Sequence, residues 1–312
     1  MADARPALLL SVDFEDWFQL VHRRLGLADW DRRSAAFERQ AAAAFDLLDE
    51  LGAKATFFVL GITAERYPDL VQELAARGHE PASHGYAHAR VHEQEPDEFR
   101  RDVERGVELV ERLAGRRPVA YRAPAFSINR RTPWAYEALA AAGVQWDSSA
   151  YDSPRVPDRI EGVPAAPYRV ELASGRELWE LPVPVWRVRG RPVPVGGGSY
   201  WRVLPLPALE RGLRAVRERN AYPVVYFHPY EWATEPLRAT LPVDATPRQR
   251  LVAASRSVWR NAGRGLVVRR LRQVARHYRL LSYEQAYADI ARRYGESSRS
   301  LSQEGVLVRP SV

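Results

Sequence analysis

The sequence predicts an α/β fold in which a parallel β-sheet is covered by helices. Two observations favour it. Short, uninterrupted apolar runs alternate with amphipathic helical stretches from Leu8 to Trp232. Uninterrupted apolar runs are typical of strands buried on both faces, and such strands occur mainly in parallel sheets. The alternation does not decide whether the sheet stays open or closes into a barrel.

The predicted strands are short apolar runs: ALLLSVD (7–13), ATFFVLG (55–61), HEPASH (79–84), VAYRAP (119–124), VQWDSS (144–149) and PVVYFHP (223–229). The predicted helices carry apolar residues at helical spacing and span 35–52, 64–78, 96–115, 131–143 and 207–219. Gly52 and Gly115 are helix stop signals. Pro81 lacks an amide hydrogen, so we expect the third strand to be short or bulged.

We expect a single domain over residues 1–290. The stretch 150–204 is rich in proline and glycine, breaks the strand–helix alternation and predicts an irregular insertion with some strand. A helical extension is expected from about residue 245. Residues 294–312 are predicted to be a flexible tail.

The composition excludes several classes of site. Cysteine is absent, which removes disulfides, thiolate metal ligands and a cysteine nucleophile. The formal net charge is +7, and Lys54 is the only lysine. The arginines are scattered and often stand near acids, as in the segment 98–117, which favours ion-paired helix faces over a nucleic-acid surface. We therefore expect no nucleic-acid partner.

Apolar segments of membrane-spanning length are absent from the sequence, and the apolar run before Asp13 is too short for a signal-peptide core. The expected location is the cytoplasm, with the inner membrane face as an alternative. The sequence does not predict the oligomeric state.

Polar residues follow the predicted strands at their carboxyl ends. They are Asp13, Glu15, Asp16, His84, His88, Arg122, Asp147 and His228. Active sites of α/β proteins form at this edge of the sheet. Two neutral imidazoles and one carboxylate make a site for a divalent metal that leaves positions for water and substrate. Taken alone, each of these residues also has a structural explanation. The two histidines could be a structural pair, Arg122 could form a structural salt bridge, and Asp147 could cap a helix.

Five segments together resemble, in order, the motifs of the polysaccharide deacetylases, the carbohydrate esterase family with the NodB homology domain. They are VDFEDW, SHGYAH, YRAPAFS, WDSS and YFHPYEW. The DxED, GGGSYWR and FHPYEW variants look like a subfamily associated with bacterial exopolysaccharide and exosortase gene clusters. The resemblance implies a distorted (β/α)7-type barrel and metal-dependent removal of acetyl groups from sugars.

The resemblance also implies residue roles. Asp13 corresponds to the general base and Arg122 to the residue that orients it. His228 corresponds to the general acid, and Asp147 to the partner that keeps His228 protonated. His84 and His88 correspond to metal ligands, with zinc as the expected ion and cobalt or nickel as alternatives.

The first motif departs from the family pattern of two adjacent aspartates, because Phe14 follows Asp13. In an extended strand Phe14 points away from the side of Asp13, and Glu15 returns to it. We therefore expect Glu15 as the third metal ligand, with Asp16 as the alternative.

An acetylated glycan is the expected partner, and four residues are expected to contact it: Tyr86, Ala123, Pro124 and Trp232. The backbone N–H near Ala123 is a plausible donor to the oxyanion. Aromatic side chains near the motifs suit the apolar faces of sugar rings, although aromatic residues more often belong to a core.

The predicted activity is hydrolysis of carbon–nitrogen bonds in N-acetylhexosamine units of a polysaccharide or its lipid-linked precursor. Two alternatives stay open: a metal-independent, allantoinase-like amidohydrolase on the same fold, and a non-catalytic glycan-binding protein. The sequence does not reveal the sugar or an N- versus O-acetyl preference.

Overall fold

The computed structural model describes residues 4–27, 31–160, 162–220, 222–239, 241–301 and 307–308. Its strands are β1 (Ala7–Phe14), β2 (Thr56–Val59), β3 (Glu80–Ser83), β4 (Ala120–Tyr121), β5 (Trp146–Asp147), β6 (Tyr168–Glu171), β7 (Glu177–Glu180), β8 (Val185–Val188), β9 (Arg191–Pro194), β10 (Val224–Phe227), β11 (Arg279–Leu281), β12 (Ser298–Leu301) and β13 (Leu307–Val308). Its helices are α1 (Trp17–Arg24), α2 (Ala35–Glu50), α3 (Gly61–Arg66), α4 (Pro68–Ala76), α5 (Pro96–Ala114), α6 (Ala135–Ala141), α7 (Gly198–Val203), α8 (Leu206–Arg217), α9 (Pro247–Asn261), α10 (Gly265–Ala275) and α11 (Tyr287–Tyr294).

Eleven of these strands form one large sheet in the order β10-β1-β2-β3-β4-β5-β7-β6-β12-β13, with β11 beside the start of β1. The strands β8 and β9 form a separate antiparallel hairpin. Pairing is parallel from β10 through β7. Every predicted strand is present, and the predicted α/β class with a parallel sheet is confirmed. The last predicted strand pairs with the first, since Phe227 of β10 faces Val12 of β1. This register places His228 beside Asp13.

The sheet curls as a distorted barrel requires. In a flat sheet β1 and β4 would lie about 14 Å apart, because neighbouring strands are separated by about 4.8 Å. Yet the Arg122 guanidinium, just after β4, lies 2.7 Å from the Asp13 carboxylate on β1. On the far side, Gly197 pairs with Tyr226 of β10, so the chain beyond β7 returns to the free edge of that strand.

Residue alternation along β1 separates the core from the site. Phe14 packs outward, with its ring centroid 5.1 Å from Phe37 of α2 and 5.6 Å from Phe57 of β2. Asp13 points the other way, toward Arg122. Full burial of an aromatic side chain such as Phe14 contributes about 2–3 kcal/mol, so this alternation fixes which way Asp13 faces.

Three predicted boundaries change. The helix expected over 64–78 is split into α3 and α4, because Pro68 begins a new helix. The stretch 150–204, predicted as an irregular insertion with some strand, contains β6 and β7 of the main sheet and the β8–β9 hairpin. The predicted flexible tail is corrected for residues 298–301, which form β12 and pair with β6. Residues 302–306 and 309–312 of that tail lie outside the described residues.

The strand around Pro81 has the predicted short form. It spans four residues and pairs with β4 at Ser83 alone. Among the described helices, none combines the length and hydropathy that crossing a bilayer requires.

Candidate active site and metal centre

One carboxylate and two imidazoles meet at the carboxyl ends of β1 and β3. Glu15 Oε2 lies 2.9 Å from His88 Nε2 and 3.7 Å from His84 Nε2. One ligand atom from each of the three residues lies within 4.8 Å of the others. The spacing of His84 and His88 thus brings both rings to one side of a turn, where the acid after β1 faces them.

The turn that carries the two histidines is shaped by α5. Asp102 accepts hydrogen bonds from the backbone N–H groups of Tyr86 and Ala87, at 2.8 and 2.9 Å. Gly85 and His88 both have left-handed backbone conformations, with φ values of +70° and +54°. A left-handed histidine is uncommon and costs about 1 kcal/mol or more, so the anchoring by Asp102 is what holds His88 in place.

The three residues fit a divalent cation. Glu15 Oε2 is buried and accepts no hydrogen bond of regular geometry, although His88 Nε2 lies 2.9 Å away. Nδ1 of His84 lies 2.8 Å from the carbonyl oxygen of Arg122, which favours a proton on Nδ1 and leaves the Nε2 lone pair facing Glu15. Burial alone would raise the pKa of Glu15, but the imidazoles of His88 and His84 outweigh it and hold that pKa well below its usual value. A carboxylate with two imidazoles is a donor set typical of zinc and similar ions.

Asp16, the alternative ligand, is engaged elsewhere. Its Oδ1 accepts the backbone N–H of Phe18 at 2.9 Å and so caps α1, while its Oδ2 accepts the Tyr67 hydroxyl at 2.9 Å. Burial raises the pKa of Asp16 to about 6. The geometry therefore favours Glu15 over Asp16 as the third ligand.

Arg122 is fully buried and holds Asp13. Its Nη1 donates to Asp13 Oδ1 at 2.7 Å and to Ser11 Oγ at 2.9 Å. Its Nη2 donates to the Tyr283 hydroxyl at 2.7 Å and to Ser148 Oγ at 3.0 Å. The sequence did not single out Tyr283. It lies far away along the chain, and the pairing of β11 with β1 brings it here.

His228 follows β10 and faces Glu15 from the other side. Its Nε2 lies 3.4 Å from Glu15 Oε1, and its Nδ1 lies 3.1 Å from Glu231 Oε2. Burial alone would lower the pKa of His228, but the hydrogen bond to Glu231 and the charges of Glu15 and Asp13 hold that pKa above its usual value. Tyr230 stacks on the imidazole, with ring centroids 5.1 Å apart.

The partner of His228 differs from the one predicted. Asp147 accepts from Ser149 Oγ at 2.7 Å and shares a buried carboxyl pair with Glu180, and within the described residues it forms no ion pair with His228. The carboxylate opposite Nδ1 of His228 is that of Glu231. A one-turn 3₁₀ segment after β10 explains this, because its i to i+3 geometry folds Glu231 back over His228.

Glu231 is itself tightly enclosed. The backbone N–H of His228 also donates to its Oε2, at 3.1 Å, and Arg202 Nε lies 3.6 Å from its Oε1. A Cβ on Gly198 would lie 2.1 Å from Glu231 Oε2, so only glycine fits at that position. The GGGSY segment therefore has a structural explanation: its last glycine lets α7 begin against the carboxylate that supports His228.

The residues predicted to contact substrate have mixed surroundings. Tyr86 donates to Glu65 at 2.7 Å and lies beneath the Arg105 guanidinium. Trp232 is buried in the core against Phe227, which corrects its prediction as a glycan-contacting wall.

The loop after β4 also differs from the prediction. The Ala123 N–H, expected to face the oxyanion, donates to Ser149 Oγ at 2.8 Å. Pro124 is buried and begins a short 3₁₀ turn.

Comparisons with known proteins agree with this arrangement. Residues 30–144 match a family described as polysaccharide deacetylase, and residues 148–287 match one described as a domain of unknown function, DUF3473. A peptidoglycan-N-acetylglucosamine deacetylase of Bacillus cereus is 35% identical over 108 residues, which are 34% of this chain and 39% of that protein. The peptidoglycan deacetylase-like protein FGM2 of Gibberella zeae is 31% identical over 137 residues, 42% of this chain and 40% of that protein.

The chain spans about two fifths of the length of these curated relatives. A crystal structure of a Mycobacterium smegmatis protein assigned to the polysaccharide deacetylases aligns over 100% of this chain and 97% of that one, with a TM-score of 0.62 and 21% identity. That likeness supports the fold.

A curled parallel sheet with a carboxylate and two imidazoles at its strand ends defines an α/β protein with a candidate metal centre. The sequence matches are more specific for one part of the chain: residues 30–144 match the polysaccharide deacetylase family. The two matched segments share one sheet, since it contains β2, β3 and β4 of the first segment and β6, β7, β10 and β11 of the second. His228, Glu231 and Tyr283 all come from the segment of unknown function, so that segment supplies part of the site.

Proposed function

We propose that this protein is a metal-dependent hydrolase that removes acetyl groups from N-acetylhexosamine units of a glycan. The observation that carries the proposal is the convergence of Glu15, His84 and His88 beside the Asp13–Arg122 pair and His228. The relatives described as peptidoglycan-N-acetylglucosamine deacetylases support the substrate class. A lipid-linked precursor is an alternative form of the same glycan.

Glu15, His84 and His88 would hold the cation, with zinc first and cobalt or nickel as alternatives. When bound, such an ion acidifies water and polarises an acetyl carbonyl. The three residues leave further coordination positions open, as a catalytic rather than a structural site requires.

Asp13 acts as the general base in this proposal. Arg122 holds one of its oxygens at 2.7 Å, which fixes the orientation of the carboxylate. The other oxygen is left to accept a proton from the attacking water. Arg122 is in turn positioned by Ser148 and Tyr283, so the base rests on a buried network and not on a single contact.

His228 acts as the general acid. The carboxylate of Glu231 favours a proton on Nδ1, and the raised pKa of His228 favours a second proton on Nε2. Nε2 faces the side of Glu15, where the scissile amide would lie. Donation from Nε2 would let the sugar amine depart as acetate is released.

Acetate release from N-acetylglucosamine oligomers tests the proposal. We expect release by the metal-loaded protein, loss after chelation, and recovery with zinc or cobalt. The Glu15→Gln variant should lose both metal binding and activity. Glu65→Gln is a matched control, because Glu65 is a carboxylate on α3 that bonds Tyr86 outside the cluster.

Two outcomes would contradict the proposal. Full activity in metal-stripped protein would favour the metal-independent amidohydrolase. Oligomer binding with no acetate release at any metal loading would favour the glycan-binding protein.

A further inference from the structure

A second cleft, of about 850 Å³, lies between the end of α1 and one face of α9. Its lining is strongly basic: Arg24, Arg248, Arg256 and Arg260 all contribute to it. Trp259, which is 49% exposed, also lines this cleft. We call it the arginine cleft.

No acidic residue of the described chain lines the arginine cleft, so its lining carries a net positive charge. Between Ala245 and Tyr283 the sequence contains ten arginines and no aspartate or glutamate. In the described part of the chain, no carboxylate forms an ion pair with any of its four arginines. Burial and then the neighbouring charges of Arg24 and Arg260 lower the pKa of Arg256, which indicates that like charges crowd together there.

Another basic cleft of this protein is lined by acidic residues as well as arginines. It lies beside the β8–β9 hairpin and contains Arg187, Arg211 and Arg214, but Glu210 and Glu218 line it as well. Interspersed charges of this kind are ordinary for a solvated surface. A concave group of four unpaired guanidinium groups is instead typical of a site that receives an anion.

The arginine cleft lies close to the candidate active site. Arg260 lines it and also donates to the Tyr230 hydroxyl. Tyr230 stacks on His228 with ring centroids 5.1 Å apart. One aromatic side chain therefore separates an arginine of this cleft from the proposed general acid.

We propose that the arginine cleft binds a polyvalent oxyanion carried by the glycan substrate, a phosphate or diphosphate ester or a run of carboxylates. The inference rests on the proposed function for the identity of the carrier. Four guanidinium groups can form several bidentate hydrogen bonds to such a group, and the exposed face of Trp259 suits an adjoining sugar ring. A substrate anchored there would extend past Tyr230 and reach the catalytic residues with an acetylated sugar.

Calorimetric titration of the full chain with inorganic pyrophosphate at low salt tests the cleft without relying on hydrolysis. We expect saturable binding that weakens at least about tenfold in the double variant Arg248→Gln/Arg256→Gln, which removes two of the four charges. The matched control is Arg101→Gln/Arg112→Gln on α5, which changes net charge equally outside the cleft and should leave binding unchanged. Equal weakening by both double variants, or no binding by the wild type, would overturn the proposal.

Parallel arms identify the source of the oxyanion. Trigalacturonate represents a carboxylate glycan, and UDP-N-acetylglucosamine represents a diphosphate-linked acetylated sugar. The probe that binds more tightly identifies the oxyanion as a carboxylate or as a diphosphate. Binding to anionic lipid vesicles that depends on Arg248 and Arg256, with no binding of any soluble anion, would overturn the proposal in favour of a membrane surface. Pyrophosphate binding by a protein that never releases acetate would contradict the proposed function and leave the anion site standing.

Discussion

Glu231 supports His228 through two contacts from one oxygen: its Oε2 lies 3.1 Å from the imidazole Nδ1 and accepts the backbone N–H of the same residue at 3.1 Å. The carboxylate is fully enclosed, so its interaction with the imidazole is little screened by solvent. The carboxylate thus fixes both the orientation and the protonation of His228.

Replacing Glu231 with Gln should lower kcat by about 10- to 100-fold with a smaller change in KM, because the amide no longer stabilises a protonated imidazole. Steady-state kinetics on N-acetylglucosamine oligomers would measure this. Asp147→Asn is the informative comparison, since Asp147 contacts Ser149 and not His228. A larger loss of kcat in Asp147→Asn than in Glu231→Gln would reverse the assignment.

Replacing Gly198 with Ala should destabilise the protein by about 1–3 kcal/mol, because the added methyl group would lie 2.1 Å from Glu231 Oε2 and force that carboxylate to move. Urea denaturation and activity should both report the change. Gly265→Ala is the control: its added methyl group meets no atom within 4 Å, so stability should stay the same or rise slightly. Unchanged stability and activity in Gly198→Ala would show that the enclosure of Glu231 is looser than described.

Replacing Tyr283 with Phe should cost about 1–3 kcal/mol of stability, because a buried Arg122 N–H loses its acceptor. Activity should fall as well, since Arg122 orients Asp13. Tyr200→Phe is a suitable control, because the Tyr200 hydroxyl forms no hydrogen bond with the described residues. Equal unfolding free energies for wild type and Tyr283→Phe would remove Tyr283 from the network.

The Asp147–Glu180 pair predicts a pH dependence of stability. Burial raises the pKa of Asp147 to about 6 and that of Glu180 well above its usual value, so the folded state binds more protons than the unfolded state. The favourable contribution is therefore present at acidic pH and is lost as pH rises through about 6.

Glu180→Gln removes one titrating member of that pair. Relative to wild type, the variant should gain stability as pH rises from about 5 to about 8. Unfolding free energies measured at both pH values would test this. A wild-type-minus-variant difference that stays constant with pH would contradict it.

The sequence predicted the strands and the chemistry at their ends, because buried apolar runs and strand-end polar residues depend on local pattern. Residue alternation along β1 also favoured Glu15 as the third ligand, with Asp16 as the alternative. The local sequence pattern does not predict which side chains the curvature of the sheet brings together. Asp147 was paired with His228 only through family resemblance, whereas a 3₁₀ turn gives that position to Glu231.

Long-range packing accounts for the remaining differences. Trp232 is the last residue of the YFHPYEW motif that contains His228, but it turns into the core against Phe227. Tyr283 reaches Arg122 only because β11 pairs with β1. Neither fact has a signal in the local sequence.

The central claim is that Glu15, His84 and His88 together bind one divalent cation. Anomalous diffraction at the zinc absorption edge, from crystals of zinc-loaded protein, tests it most directly. We expect a single strong peak about 2.0–2.2 Å from a Glu15 Oε atom and from Nε2 of both His84 and His88. Crystals of the Glu15→Gln variant should lack this peak. A fully loaded crystal without a peak between these three residues, or with its peak at Asp16, would contradict it.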